Sequence, residues 1–142
     1  AVMVSCGDRE GRTNIITVPG QGLSVPTAMV YISGGPEYSY DLLRDSGEFV
    51  INLTTEKLLR AADWCGVKSG RDTDKWKQMH LRLAGLPGLL APVIEERCNI
   101  ECRVTEVKEL GSHHMFLARV EAVQADKDYM DADGRFRLND AG

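Results

Sequence analysis

The sequence predicts a mostly β protein: an antiparallel barrel with short helices at its edge. Three observations lead there. The β-rich runs come in neighbouring pairs joined by polar turns, as in hairpins, and are not spaced by the long helices of βαβ units. Two late segments, "NIECRVTEVKEL" and "HMFLARVEAVQA", alternate apolar and polar residues across a short "GSH" connection. The helix-forming stretches are few and short, which suits an edge and not a covering layer.

Taken in order, "AVMVSCGDREGRTNIITV" reads as a hairpin, with strands Val2–Cys6 and Thr13–Val18 around the polar turn "GDREGR". "PGQGLSVP" is rich in breakers and reads as a loop or bulge. "TAMVYIS", residues 27–33, is a third strand. "SYDLLRDSG" has helix punctuation: Ser39 can cap it, Leu42 and Leu43 give an apolar stripe, and Gly47 can end it. "EFVINL" is a fourth strand. "TTEKLLRAADWCG" predicts a second helix, capped by Thr54 or Thr55, with Leu58, Leu59, Ala62 and Cys65 on one face and Gly66 as its stop. "DKWKQMHLRL" predicts a short helix or turn, and "LPGLLAPV" is irregular. The long alternating hairpin follows, and "FRL" can open a last strand.

The 142 residues suit one domain with a core of its own, residues 1–142. "DADGRFRLNDAG" ends on turn residues and the first residues run straight into a strand, so both ends read as incomplete. Lys and Arg number 17 against 21 Asp and Glu, giving a net charge of −4 with both signs dispersed. That balance argues against a nucleic-acid surface. No apolar run approaches the ~20 residues of a membrane helix. Four cysteines in a chain with an ample apolar fraction point to reduced thiols and a cytoplasmic setting.

The familiar catalytic and metal patterns are not met. Cys98 and Cys102, with His113 and His114, lack zinc-site spacing, and Cys98, Ile100, Cys102 and Val104 share one strand face, as buried thiols do. Cys65 closes a helix, where the dipole disfavours a thiolate. There is no nucleophile-elbow pentapeptide, and "GQGLSVP" is only a weak echo of a dinucleotide fingerprint. No catalytic acid or base stands out, and no metal is expected. What remains is polar. Ser39 in "YSYD" can cap a helix or help hold an anion. Asn52 interrupts an apolar strand and needs hydrogen-bond partners, from a loop or from the edge of a planar ligand. "SGRDTDKW" sets backbone donors at Ser69 and Gly70 beside Arg71 and Lys75, suited either to a solvated loop of Arg–Asp pairs or to an anionic, carbonyl-rich ligand.

On "VSCGDREGRTNIITV", "YSYDLLRDSGEFVINLTTEKLLRAADWCGVKSGRDTDKW" and "APVIEERCNIECRVTEVKELGSHHMFLARVEAV", the chain resembles the flavin reductase-like family of FMN-binding split β-barrels, which includes the flavoredoxins. The resemblance implies an antiparallel split barrel, a homodimer with FMN near its interface, and NADH or NADPH as a possible electron donor. It also implies a possible redox partner protein. For the cofactor it implies Tyr38, Ser39 and Tyr40 near the phosphate and Asn52 on the strand lining the flavin. Ser69, Gly70, Arg71, Asp72 and Lys75 would form the approaching loop, with Cys65 and Gly66 leading into it and His113 near the ring. Arg71 and Lys75 would face the cofactor, and Asp72 and Asp74 would steady those cations. Two segments depart from the family pattern. "VPGQGLSVPTAM" stands where a Gly-Thr pair is usual, and "GGPEYSY" stands where an Arg-Pro-x-Arg-Tyr run is usual. The expected activity is an FMN-binding oxidoreductase, of the NAD(P)H-dependent flavin reductase or flavoredoxin type. Two alternatives stay open: an electron carrier or sensor without nicotinamide oxidation, and a degenerate barrel with weakened FMN binding.

Overall fold

The computed structural model describes residues 1–24, 29–34, 38–95 and 98–140. Its elements run β1 (Val2–Gly7), β2 (Thr13–Val18), β3 (Gly20–Ser24), β4 (Met29–Gly34), α1 (Tyr38–Ser46) and β5 (Glu48–Asn52). A 3-10 turn at Glu56–Leu58 leads into α2 (Leu59–Val67), then α3 (Lys75–Gln78), β6 (Leu83–Ala84), β7 (Val93–Ile94), β8 (Cys98–Glu109) and β9 (His114–Ala125). Seven strands form one antiparallel sheet in the order β2-β1-β5-β8-β9-β4-β3, which curls into a split barrel. β6 and β7 make a separate two-stranded ribbon.

Strand alternation sorts the core into layers. Val2, Val4 and Cys6 of β1 point into the barrel with Ile16, Val18, Phe49, Ile51, Cys102 and Phe116, where Leu42 and Leu43 of α1 join them. Met3 and Ile15, on the outer face of β1 and β2, pack instead under Leu58, Ala61, Ala62 and Cys65 of the second helical segment. Both faces of β1 are therefore buried, and the strand reads as a nearly continuous apolar run. α1 ends where Gly47 takes a left-handed φ of 68° and donates its N–H to Leu43, 3.0 Å away.

β5 is also two-faced. Phe49 and Ile51 enter the barrel, while Glu48, Val50 and Asn52 turn to the segment 90–94. Buried Glu48 accepts the N–H groups of Leu90 and Ala91. Buried Asn52 accepts from Ile94 N at 2.9 Å and donates to Ser5 Oγ at 3.0 Å and Met3 O at 3.2 Å. Ser5 in turn donates to Pro92 O at 2.5 Å. An irregular segment with two prolines on its way is thus fixed to the sheet by side chains, because it has few ladder bonds of its own.

Several local expectations change. "PGQGL" is not a loop: Gly20–Ser24 is an edge strand paired with β4. Gly22 sits under the Tyr31 ring, where a Cβ would lie 2.3 Å from a ring carbon, so the glycine that looked like a breaker makes room for a cross-strand aromatic. The segment 25–28 lies outside the described residues, as does 35–37. The buried stripe of the second helix is 58, 61, 62 and 65, and Leu59 is exposed. That stripe is the i, i+3, i+4, i+7 set, and Leu59 lies off it. Neither threonine caps by its side chain at Thr55, and the helix runs through Gly66 to Val67. "FRL" gives a single bridge, Met130 to Phe136, and no strand. Among the described residues no helix is long and apolar enough to cross a membrane.

The first hairpin turn is organised by Asp8. Its carboxylate accepts the N–H groups of Glu10 and Arg12 and the Arg12 Nε at 2.6 Å. Burial pushes this carboxyl up, but the hydrogen bonds and charge of Arg12 outweigh it and hold it below the usual carboxylate range. A carboxylate depressed in the folded state adds stability that is complete above its unfolded pKa and fades as pH falls through the folded value. Asp8→Asn should therefore lower stability at neutral pH and flatten the acid limb in denaturant titrations run from pH 7 to pH 2. Superimposable acid limbs would refute this role.

Candidate functional site

A two-lobed cleft opens where β2, the start of α1 and the loop between α2 and α3 meet. One lobe, of about 310 Å³, is lined by Asn14, Tyr38, the run Gly66–Arg71 and Lys75. The other, of about 410 Å³, adds Arg12, Thr13, Asp72, Thr73, Asp74 and Trp76. The lobes share Asn14, Tyr38, Gly70, Arg71 and Lys75.

The loop of the cleft is built from its two ends. α2 ends at Val67, with Lys68 N–H returning to Trp64 O at 3.2 Å. Asp74 caps α3 by accepting from Lys77 N. Between them Ser69 Oγ accepts from Arg71 N at 3.2 Å and Ser69 O from Asp72 N at 3.3 Å, a tight turn that leaves the Arg71 guanidinium exposed. Among the described residues no ion pair or hydrogen bond is recorded for the Arg71 guanidinium or the Lys68 ammonium. Among the described residues Arg71 is thus not paired with Asp72 or Asp74, and Asp74 serves as a helix cap.

Lys75 is the main surprise. Its side chain is buried, 2% exposed, and its Nζ donates to Ile15 O and Cys65 O, each at 2.8 Å. Cys65 O belongs to the last turn of α2, whose carbonyls lack intrahelical partners and carry the negative end of the helix dipole. The lysine therefore ties α3 to α2 and β2 from beneath the cleft and does not reach out as a surface cation.

Asn14 was not singled out in the sequence, yet it sits at the junction. It is buried and donates to Ser39 Oγ at 2.8 Å. Gly70 lies so close that a Cβ there would stand 2.3 Å from Asn14 Oδ1. Ser39 is 1% exposed and belongs to the wall behind the cleft. Cys6 lies behind it too; burial pushes its thiol up to about 12, against the lowering influence of hydrogen bonds to Ser39 and the Asn14 backbone. Burial likewise raises Cys65. Trp76 Nε1 donates to Thr13 Oγ1 at 3.1 Å and closes the far end.

The structure thus gathers Tyr38, Ser69, Gly70, Arg71, Asp72 and Lys75 around one cleft, with Ser39 and Cys65 just behind them. It does not bring Tyr40, Asn52 or His113 there. Tyr40 packs on His114 with ring centroids 4.2 Å apart, Asn52 is spent on the 90–94 segment, and His113 is exposed at the hairpin tip beside Ser112. The cleft presents two exposed cations, Arg71 and Lys68, with no acid partner among the described residues, beside an aromatic wall from Tyr38.

The curled antiparallel sheet with its few short helices is a split barrel, and the comparisons agree on the class. The chain belongs to the flavin reductase like domain family, whose pattern matches residues 1–138. The flavoredoxin of Desulfovibrio vulgaris (Miyazaki F) superposes with a TM-score of 0.90 at 24% identity, over 99% of this chain and 76% of that one. An FMN-binding protein from Thermus thermophilus, crystallised with 1-cyclohex-2-enone, gives 0.82 at 25% identity over 95% and 75%. By sequence, an uncharacterized protein of Archaeoglobus fulgidus is 32% identical over 88 residues, 61% of this chain and 50% of its own. The chain spans roughly half the length of the relatives it matches by sequence.

The Asn14–Gly70 contact makes a specific prediction. Gly70→Ala should destabilise the protein by about 1–3 kcal/mol through overpacking. Asn14→Ala in the same chain should recover part of that loss, so that urea unfolding of the four forms shows a coupling above about 0.5 kcal/mol. Strict additivity would mean that the two residues do not touch.

Proposed function

We propose that the cleft holds the phosphate end of FMN and that the chain is an FMN-binding oxidoreductase, of the NAD(P)H-dependent flavin reductase or flavoredoxin type. The observation that carries the reading is the cleft itself: Arg71 and Lys68, exposed and without acid partners among the described residues, line it beside Tyr38 in a chain of this family. The FMN-binding protein of Thermus thermophilus, similar over nearly the whole chain, supports the choice of cofactor.

In this reading Arg71 and Lys68 neutralise the phosphate, and Arg71 can offer it two parallel N–H groups. Ser69 shapes the turn by binding the Arg71 N–H. Asn14 sets the depth of the loop at Gly70 and fixes the Ser39 hydroxyl behind it. Tyr38 forms an aromatic side to the cleft. Bound flavin supplies the redox chemistry that no side chain here offers, so the protein's part is to bind, orient and tune charge. Asn52, Tyr40 and His113 keep structural or surface places in a single chain.

The chain acts as a cytoplasmic homodimer with the cofactor near the interface, and a redox partner protein can draw electrons from it. Exposed apolar side chains on the long hairpin, Val107, Leu110 and Val123, support an association between copies.

Purified protein incubated with FMN and then desalted should be yellow. Arg71→Ala should weaken FMN binding by tenfold or more, in line with about 1.5–3 kcal/mol for a charged hydrogen bond. A protein that ignores added FMN, or that binds it equally well without Arg71, would sink the cleft assignment. Rapid mixing of the FMN-loaded protein with NADH or NADPH should bleach the flavin absorbance; a silent trace, with normal reduction by dithionite, would leave an electron carrier. Light scattering should give twice the chain mass, and Val123→Glu should shift it towards the monomer.

A further inference from the structure

A second groove lies away from the cleft, and nothing in the flavin reading uses it. It has a volume of about 270 Å³ and sits between the start of the second helical segment, the end of α3 and the β6–β7 ribbon. Its exposed rim carries Lys57, His80, Arg82 and Glu95. Leu58, Ala61 and Ile94, all buried, close its bottom, and half-buried Met79 and Leu81 give it an apolar wall. Arg82 and Glu95 are held opposite one another by the ribbon, with Glu95 N–H on Arg82 O at 3.0 Å. Among the described residues no ion pair is recorded for Lys57 or Arg82.

The backbone singles out His80. α3 closes in a Schellman arrangement: Leu81 N–H returns to Trp76 O at 2.9 Å and His80 N–H to Lys77 O at 3.2 Å. That geometry needs a left-handed residue, and His80 supplies it with a φ of 51°. Among the described residues it is the one non-glycine with positive φ. Glycine would fill this place at lower conformational cost, so local stability does not account for an imidazole here. Its side chain lines the groove.

We infer that this groove is a binding site for a small amphipathic carboxylate, with its apolar body against Met79 and Leu81 and its carboxylate between Lys57, Arg82 and His80. Charge decides the class. Lys57 and Arg82 face one carboxylate, Glu95, so the rim is short of negative charge. The wall decides the rest, since inorganic anions gain nothing from the half-buried methionine and leucine. The volume falls just below the roughly 300 Å³ at which drug-sized pockets begin, which limits the guest to a single ring or a short chain.

Benzoate is the probe, followed by amide chemical shifts in the full-length protein. It should move the signals of residues 57–61, 79–82 and 94–95 with a millimolar Kd, and benzyl alcohol should bind at least tenfold more weakly. Lys57→Gln with Arg82→Gln should abolish the benzoate shifts and leave FMN affinity unchanged, which separates this site from the cleft. His80→Gly should raise the melting temperature and weaken benzoate several-fold. The proposal is overturned if benzoate moves only the Gly66–Trp76 signals, if the double variant binds it as before, or if His80→Gly leaves its affinity intact. It is equally overturned if inorganic phosphate displaces benzoate at matching concentration, which would show a plain anion patch.

Discussion

The buried ammonium of Lys75 is the constraint around which the cleft is organised. Removing such a charge from water carries a penalty of several kcal/mol, so it persists only where strong acceptors meet it. Here the acceptors come from two different elements, Ile15 O of β2 and Cys65 O in the last turn of α2. The helix end is a favourable place for a cation, because its carbonyls are unpaired and the dipole is negative there. One side chain thus fixes the spacing of a strand, a helix and the loop that must return between them. The positions of Arg71 and Ser69 follow from that anchorage, because their loop starts and ends on elements that Lys75 binds together.

A second principle runs through the sheet. β1 and β5 each bury both faces, so neither can turn a polar residue outward. Their polar residues, Ser5, Glu48 and Asn52, are instead used to hold an irregular segment against the sheet. Buried polar groups of this kind stabilise only when every partner is supplied. That requirement explains why the 90–94 stretch lies where it does despite Pro92. It also explains why Asn52, a candidate for contact with a planar ligand, is fully committed inside one chain.

The family relationship and the geometry speak to different questions. Membership in the flavin reductase like domain family, with solved neighbours of closely similar shape, accounts for the split barrel. It does not by itself say which atoms meet a ligand, since one fold carries many sites. In the cleft the open cations belong to Arg71 and Lys68, while Lys75, Ser39 and Asn14 form the frame behind them. The groove at the end of α3 is built on different physics, a half-buried apolar wall beside a cationic rim.

The sequence by itself determined the pairing of strands into hairpins, the places of α1 and β5, and the long β8–β9 hairpin, because alternation and turn residues act over a few neighbours. It also marked "SGRDTDKW" as a dense, unusual loop, and the structure sets that loop along the cleft. Only the tertiary structure decided which of its cations is open. Arg71 and Lys75 look alike in a string of letters, but one faces solvent and the other is enclosed by two carbonyls sixty and ten positions away. Asn14 escaped notice because an asparagine on a short strand carries no local signal until Gly70 and Ser39 arrive beside it. Gly20–Ser24 carries no strand signal of its own for the same reason: a strand at a sheet edge is made by its neighbour, and the ring of Tyr31 over Gly22 belongs to another part of the chain. Periodicity reports which face of an element is apolar, whereas burial and partner choice depend on what the rest of the fold lays against it.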